Sequence, residues 1–585
     1  MIRFSVSGIW MASLLYQKGT FLSTLFLLDF ALFFDKSNFV IDNLYKIGIM
    51  KEKRTKKGYI RMNYSLFSQN RWLFPDTTLE EGVASASLTL LKGQTGGVQI
   101  LVTGLFVGQP VTWSLCGGEG LSVAFYREME VCVNRNTNSL QNGALTTDDW
   151  DEVCRDRVRR APYRTYDPLL PAEGLTAEKE REVYYCSVIP GFDVPAGAKT
   201  VELCLTCGGD SVKIPLSVTV GAKSLPARTL NMTNWASIST MAWAHGLEYG
   251  SDAHKDMVRS YVALMRECHG NIFWITMDDL KAERIDGKLK FDFSDVERWA
   301  QLVLDCGIET LEWAPFIFRP CWEDPPFLIA DRANGGKQLE CLSVPGRKYL
   351  TAFLTQFNDF LTQKGWRDIS IVHVSDEPKE RCASDFRILA GIFRKYLPGI
   401  KLIDAIEIWF VEEALDIYVP KNHYFQLNRN DFEKLRDERN ELWFYTCNMP
   451  GGKFLNRYLD SPLLHPRLLH WGNYRYHLTG YLHWGFNHVR RDQDPFEETS
   501  ASAWLPAGDT NIVYPYKDRP LRSLRFLQMK CGAEEYEILH ALSAADRTAA
   551  DSICRRVLRA FDDYITDVAE FDTISAELVT RFDEA

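Results

Sequence analysis

The stretch that most restricts the fold begins after Pro226, where short apolar runs start to alternate with amphipathic segments. Strands are predicted at 229–234, 271–276, 309–314, 370–375, 401–405, 416–419, 442–446 and 480–484. Helices predicted at 253–268, 294–306, 347–364, 385–396 and 432–439 fall between most of them. Short apolar runs fit buried strands, while apolar residues at three- and four-residue spacing give helices with one face to bury. Phe293-Ser294-Asp295-Val296-Glu297 offers a Ser N-cap with an acid three residues on. Gly307 sits where a left-handed residue would end that helix. Eight strands alternating with helices over roughly 300 residues is the pattern of a (β/α)8 TIM-type barrel. An open doubly wound sheet competes, but it would carry a glycine-rich phosphate loop after its first strand, and none follows 229–234.

Upstream the rhythm is different. Between Ala84 and Val220, alternating stretches such as 98–102, 111–115 and 213–220 are punctuated by turn residues, which favours an antiparallel β-sandwich. Gly221-Ala222-Lys223-Ser224-Leu225-Pro226 reads as a linker. A chain of 585 residues also exceeds what one core supports. The expected division is an N-terminal extension at 1–61, a sandwich at 62–224, the barrel at 225–540 and a C-terminal helical segment at 541–585.

The extension holds an apolar run at 20–34, interrupted by Asp29 and followed by the basic Lys51-Glu52-Lys53-Arg54-Thr55-Lys56-Lys57. Signal peptides place basic residues first, and a membrane-spanning helix needs about 20 apolar residues. The expected reading is a mis-called start with the native chain beginning at Met50 or Met62. A signal-anchor is the competitor. No stable membrane insertion is expected, and the 14 cysteines suggest a reducing, cytoplasmic setting. Cys204-Leu205-Thr206-Cys207 has zinc-like spacing but no second pair, and it lies in an alternating run, so buried thiols are expected rather than a metal site. A formal charge of −10, with no basic stripe over the folded part, argues against nucleic acid as a partner.

The chemistry points to Ile369-Ser370-Ile371-Val372-His373-Val374-Ser375-Asp376-Glu377-Pro378. This is the fourth barrel strand, with two acids at its C-terminal end, where barrel enzymes place their reactive groups. Successive strand residues face opposite sides, so both acids reach one mouth only where the strand ends and bends. Pro378 stops the ladder and biases Glu377 toward extended backbone. On residues alone, a helix cap or surface ion pairs would explain the dipeptide as well. Trp313, Tyr445, Asn448, Trp484 and Asn487 lie at or just past strand ends and are candidate substrate contacts, with Tyr445 and Trp484 favoured. Arg467 and Trp471 are read as joining the seventh helix to the barrel, and Asp509 as a sugar contact or a turn residue.

From about 225 to 540 the chain resembles the catalytic region of glycoside hydrolase family 123, the β-N-acetylgalactosaminidase family. The matching pieces are Ser375-Asp376-Glu377-Pro378, Asp416-Ile417-Tyr418-Val419-Pro420, Leu442-Trp443-Phe444-Tyr445-Thr446-Cys447 and Asn456-Arg457-Tyr458-Leu459-Asp460. They continue with Pro466-Arg467-Leu468-Leu469-His470-Trp471, Gly480-Tyr481-Leu482-His483-Trp484-Gly485-Phe486-Asn487 and Gly508-Asp509-Thr510-Asn511-Ile512-Val513-Tyr514-Pro515. Tyr166-Asp167-Pro168-Leu169-Leu170-Pro171 resembles a piece of the family's N-terminal sandwich. The resemblance implies a retaining, substrate-assisted hydrolase of β-linked 2-acetamido sugars, N-acetylgalactosamine favoured, with no cofactor or metal. In that scheme Glu377 is the acid and then the base, and Asp376 orients the acetamido N–H and stabilises the oxazolinium. An anion beside Glu377 is expected to raise its pKa. Two alternatives stay open: a retaining glycosidase with a protein nucleophile such as Glu407 or Glu312, and a non-catalytic carbohydrate-binding barrel. All three take an oligosaccharide or glycoconjugate as partner.

Overall fold

The computed structural model describes residues 61–137, 145–146, 157–502 and 504–585. The apolar run at 20–34 and the basic stretch after it lie outside them. Met62 to Ala585 form one compact unit.

Eight parallel strands build the barrel: β1 (Asn231–Asn234), β2 (Ile272–Ile275), β3 (Thr310–Trp313), β4 (Ser370–His373), β5 (Lys401–Ile406), β6 (Ile417–Pro420), β7 (Glu441–Leu442 and Phe444–Thr446) and β8 (Gly480–His483). All eight fall where the sequence predicts them. Strand β7 is cut in two at Trp443. Its first part pairs with β6 and its second with β8, so both ends of the sheet belong to one strand. A parallel bridge between Lys421 and Tyr445 joins the two edges. Gly480 is required at the start of β8, because a Cβ there would stand 2.2 Å from the Trp443 ring.

Helices Asp252–Glu267, Ser294–Asp305, Val344–Lys364 and Ala383–Tyr396 cover the barrel much as expected. Two local expectations fail. No helix spans 432–439; short helices occupy Asn422–Leu427 and Arg429–Glu433 instead. The Asp437 carboxylate accepts the backbone N–H groups of Arg439 and Asn440, a turn that replaces the helical bonds. Ser294 is not a cap either: it is the first helical residue, Phe293 is the cap, and Asp292 accepts the Ser294 N–H. Gly307 does take the left-handed conformation, at φ +89°.

The N-terminal region packs two sheets around a core that includes Ile100, Tyr184, Leu203 and Leu216. Five strands of the larger sheet are N-terminal, and Tyr514–Tyr516 and Arg519–Ser523 extend it from the far end of the barrel. The smaller sheet departs from a purely antiparallel pattern, since Ala86–Lys92 runs parallel to Asp210–Ser224. That last strand continues through the predicted linker, pinned where Asp583 accepts the N–H groups of Ala222 and Lys223. Cys204 and Cys207 sit on opposite faces of Gly197–Cys207, as a spacing of three in a strand requires. Cys207 joins the core, while Cys204 lies beside Cys116 and Glu202 on the outer face.

The helix Leu524–Ala545 is the hub of the unit. Glu537 accepts the backbone N–H groups of Thr229 and Leu230 at the barrel entrance, and Glu534 accepts that of Thr95 in the sandwich. Glu535 takes a two-bond contact from Arg467 and the Trp471 indole N–H, which makes those two residues structural links. Arg525, wholly buried, pairs with Asp167 of the sandwich at 3.0 Å. Among the described residues no helix is long and apolar enough to cross a membrane.

Candidate active site

Strand β4 ends at His373, and the chain then bends so that Asp376 and Glu377 stand half-buried at the C-terminal mouth. Neither caps a helix; the next long helix starts at Ala383 with Cys382 as its cap. The bend is sharper than Pro378 alone predicts. Glu377 has φ +42°, a left-handed value that a residue with a Cβ adopts at a cost of about 1–3 kcal/mol. Extended backbone was expected there. The surroundings override that bias: Nη2 of Arg319 donates to the carbonyls of Asp376 at 2.8 Å and Glu377 at 2.7 Å.

The Glu377 carboxylate meets three groups from other strands. The Tyr445 hydroxyl on β7 donates to Oε1. Lys421, just past β6, places Nζ 3.6 Å from Oε1, and Lys379 places its own 3.8 Å from Oε2. Both ammonium groups also bind Glu407, which follows β5; Lys421 does so at 2.6 Å. Burial opposes the Glu407 charge, but the two lysines overcome it and hold the carboxyl down at about 2. Asp376 is pushed in the opposite direction. Burial first, then the charges of Glu377 and Asp404, raise its carboxyl to about 7 against the pull of His373 and Arg319.

Beneath the pair, inside the barrel, His373 bridges two acids. Nε2 lies 2.8 Å from Glu312 of β3 and Nδ1 lies 3.1 Å from Asp404 of β5. Burial works against a charged imidazole here, yet the bonds and charges of Asp404 and Glu312 win and raise it to about 9. Glu312 also accepts from Thr233 and from the Trp235 indole, and Asp404 accepts the Ser375 N–H at 3.0 Å. This layer fixes the base of the bend that carries Asp376 and Glu377.

The other sequence candidates separate clearly. Tyr445 is brought to Glu377. Trp484 remains half-exposed past β8, with its indole beside Asp509. Asn448 lies at the rim, its amide 3.5 Å from the Trp504 carbonyl. Trp313 does not reach the mouth: it is 0% exposed, packs against Phe357 and donates to Ser370. Asn487 spends its amide on both backbone groups of Ser237, tying the β8 loop to the β1 loop. Asp509 is buried, and burial raises its carboxyl to about 7. Lys379, Lys421 and Arg319 were not singled out from the sequence. The two lysines carried a usable signal, since each follows a proline that ends a predicted barrel strand or its bend.

A parallel barrel with a carboxylate pair at the C-terminal end of β4, ringed by aromatic and cationic side chains, is a site of the kind that barrel enzymes carry at that end. The sequence model of the glycoside hydrolase 123 catalytic domain matches residues 235–542, and the chain belongs to that family. Its fold is similar to that of a family 123 glycoside hydrolase from Clostridium perfringens whose structure concerns glycolipid glycan hydrolysis. That similarity has a TM-score of 0.70 at 15% identity, covering 90% of this chain and 97% of that one. A β-glucuronidase from Parabacteroides merdae aligns with a TM-score of only 0.29 at 10% identity, over 76% of this chain and 52% of that one. A search of curated proteins finds no match.

Proposed function

We propose that this glycoside hydrolase removes β-linked 2-acetamido sugars, N-acetylgalactosamine favoured, by a retaining mechanism in which the substrate's own acetamido oxygen is the nucleophile. The observation that carries the reading is the state of the other acids. Glu312 is sealed beneath the site against His373, and Glu407 is held by two ammonium groups. Asp376, adjacent to Glu377, is the acid left to face the sugar.

In this scheme Glu377 donates its proton to the leaving glycosidic oxygen while the acetamido oxygen attacks the anomeric carbon. Asp376 accepts the acetamido N–H and stabilises the positive charge that develops on the oxazolinium; that charge in turn favours the Asp376 carboxylate. Glu377, now ionised, takes a proton from the water that attacks the same carbon. Tyr445 holds the Glu377 carboxylate in place through both steps. Trp484 offers a flat apolar face for the sugar.

The test is hydrolysis of aryl β-glycosides of N-acetylgalactosamine, N-acetylglucosamine, galactose and glucose by wild type, E377Q and D376N. Turnover confined to the 2-acetamido sugars and lost in both variants is expected. Cleavage of sugars with a free 2-hydroxyl would overturn the reading and move the nucleophile to Glu407.

A further inference from the structure

We propose that Arg319 is the positioning residue of the Asp376-Glu377 pair: its guanidinium holds the left-handed bend that aims both acids. The residue comes from outside the barrel strands. Between β3 and β4 the chain makes a small sheet of Ile317–Phe318, Leu328–Asp331 and Lys337–Glu340, and Arg319 leaves its first strand to reach back to the mouth.

Among the described residues the guanidinium's hydrogen bonds go to the bend and to Cys382, which is itself bonded to Lys379. Nη2 binds the carbonyls before and at the strained residue. Nη1 donates to Cys382 Sγ at 2.7 Å, and that sulfur accepts the Lys379 N–H at 3.1 Å and donates to the Lys379 carbonyl at 3.2 Å. One side chain thereby holds the backbone on both sides of Pro378. Pro378 has no N–H to stabilise the bend itself. The guanidinium is itself fixed, 7% exposed and 5.5 and 5.6 Å from the ring centres of Phe327 and Trp322. A planar fork can satisfy carbonyls and sulfur together; a lysine ammonium, a single point of charge, cannot span them.

The charge matters as well. The groups facing Asp376 are Glu377 beside it, His373 of β4, Asp404 of β5, and Arg319 from the connection between β3 and β4. Of these, Arg319 is the cation supplied by the connection rather than by the barrel. Without it the neutral form of Asp376 gains.

The inference rests on Asp376 and Glu377 being the catalytic pair. It is tested on whichever aryl glycoside the wild type cleaves fastest, so the loss of the acetamido assignment would leave it standing. Full activity in E377Q would remove the pair itself. R319A, R319Q and R319K are compared for kcat, KM, thermal midpoint and pH profile. Misplacing a reacting group by about 1 Å costs on the order of 100-fold, so R319A and R319Q are expected to lose about that much in kcat, with KM nearly unchanged. Millimolar guanidinium chloride should restore part of the R319A rate and none of the E377Q rate. The acidic limb of the profile should move to higher pH in R319A and R319Q, and stay in R319K. Wild-type kcat in R319A would overturn the proposal. So would a loss that follows a lowered thermal midpoint, with no rescue and an unmoved limb, because that is what a merely structural arginine gives.

Discussion

The hydroxyl of Tyr445, on β7, donates to Oε1 of Glu377 at the end of β4, so two strands from opposite parts of the barrel wall meet at one carboxylate. Tyr445 is 3% exposed, and its neighbour across the seam is Lys421, whose ammonium lies 5.3 Å from the phenol ring centre and 3.6 Å from the same carboxylate oxygen. The bond that closes the barrel, between Lys421 and Tyr445, therefore also places both contacts to Glu377.

Y445F removes that hydroxyl and leaves the ring. A hydrogen bond to a charged group is worth about 1.5–3 kcal/mol, so kcat is expected to fall roughly 10- to 100-fold with the thermal midpoint almost unchanged. Steady-state kinetics beside a melting curve checks this. Unchanged kcat would mean that Glu377 keeps its aim without β7.

E407Q distinguishes a charge partner from a nucleophile. Breaking a buried ion pair costs about 3–5 kcal/mol, and the variant should unfold at lower denaturant because Lys379 and Lys421 lose their shared partner. Adding azide should not restore its activity. A rescued rate with a glycosyl azide product would make Glu407 the nucleophile.

Burial and the neighbouring charges push the Asp376 carboxyl up to about 7, and only its ionised form both accepts the acetamido N–H and offsets the positive charge of the oxazolinium. Below that pH the group is protonated, so kcat/KM on a 2-acetamido glycoside should rise as pH climbs through about 7. In D376N the limb should vanish along with most of the rate. A flat profile in wild type from pH 5 to 8 would contradict this role.

His373 supplies a stability signature. Its folded pKa, about 9, lies above the ordinary histidine value of 6.5, so the native state binds the proton more tightly. The stabilisation is complete below 6.5 and is lost as pH rises toward 9. Urea midpoints of wild type should decline across that window, and those of H373Q should decline less. Equal slopes would show that the imidazole carries no charge in the Glu312–Asp404 layer.

Much of the barrel was legible because its strands are short, apolar and separated by amphipathic helices, and because Pro378 marks where the fourth strand must stop. What misled was local. Asp437 supplies a turn whose bonds outcompete the helical pattern of 432–439, and the helix begins one residue early, with Phe293 as its cap and the Ser294 N–H donated to Asp292. Trp313 and Asn487 occupy strand-end positions like Tyr445, but direction decides their fate, and direction follows from pairing that no single strand reveals. Lys421 was readable as a cation beyond a strand, though its partners come from β4 and β5. Arg319 was not readable: it lies in a Pro-rich connection with no periodicity, and only the fold brings it back to the acids.

The buried Asp167–Arg525 pair reaches further than its own contact. The Arg525 guanidinium also binds the carbonyls of Arg457, Gly508 and Asn511, all in loops around β7 and β8. An excised 235–542 segment would carry that cation without its anion, and with one edge of Tyr514–Ser523 bare. The two halves are therefore expected to travel through evolution as a single heritable piece. A grafted catalytic segment would need its own sandwich beside it, so swapping N-terminal modules between relatives is a poor route to new specificity.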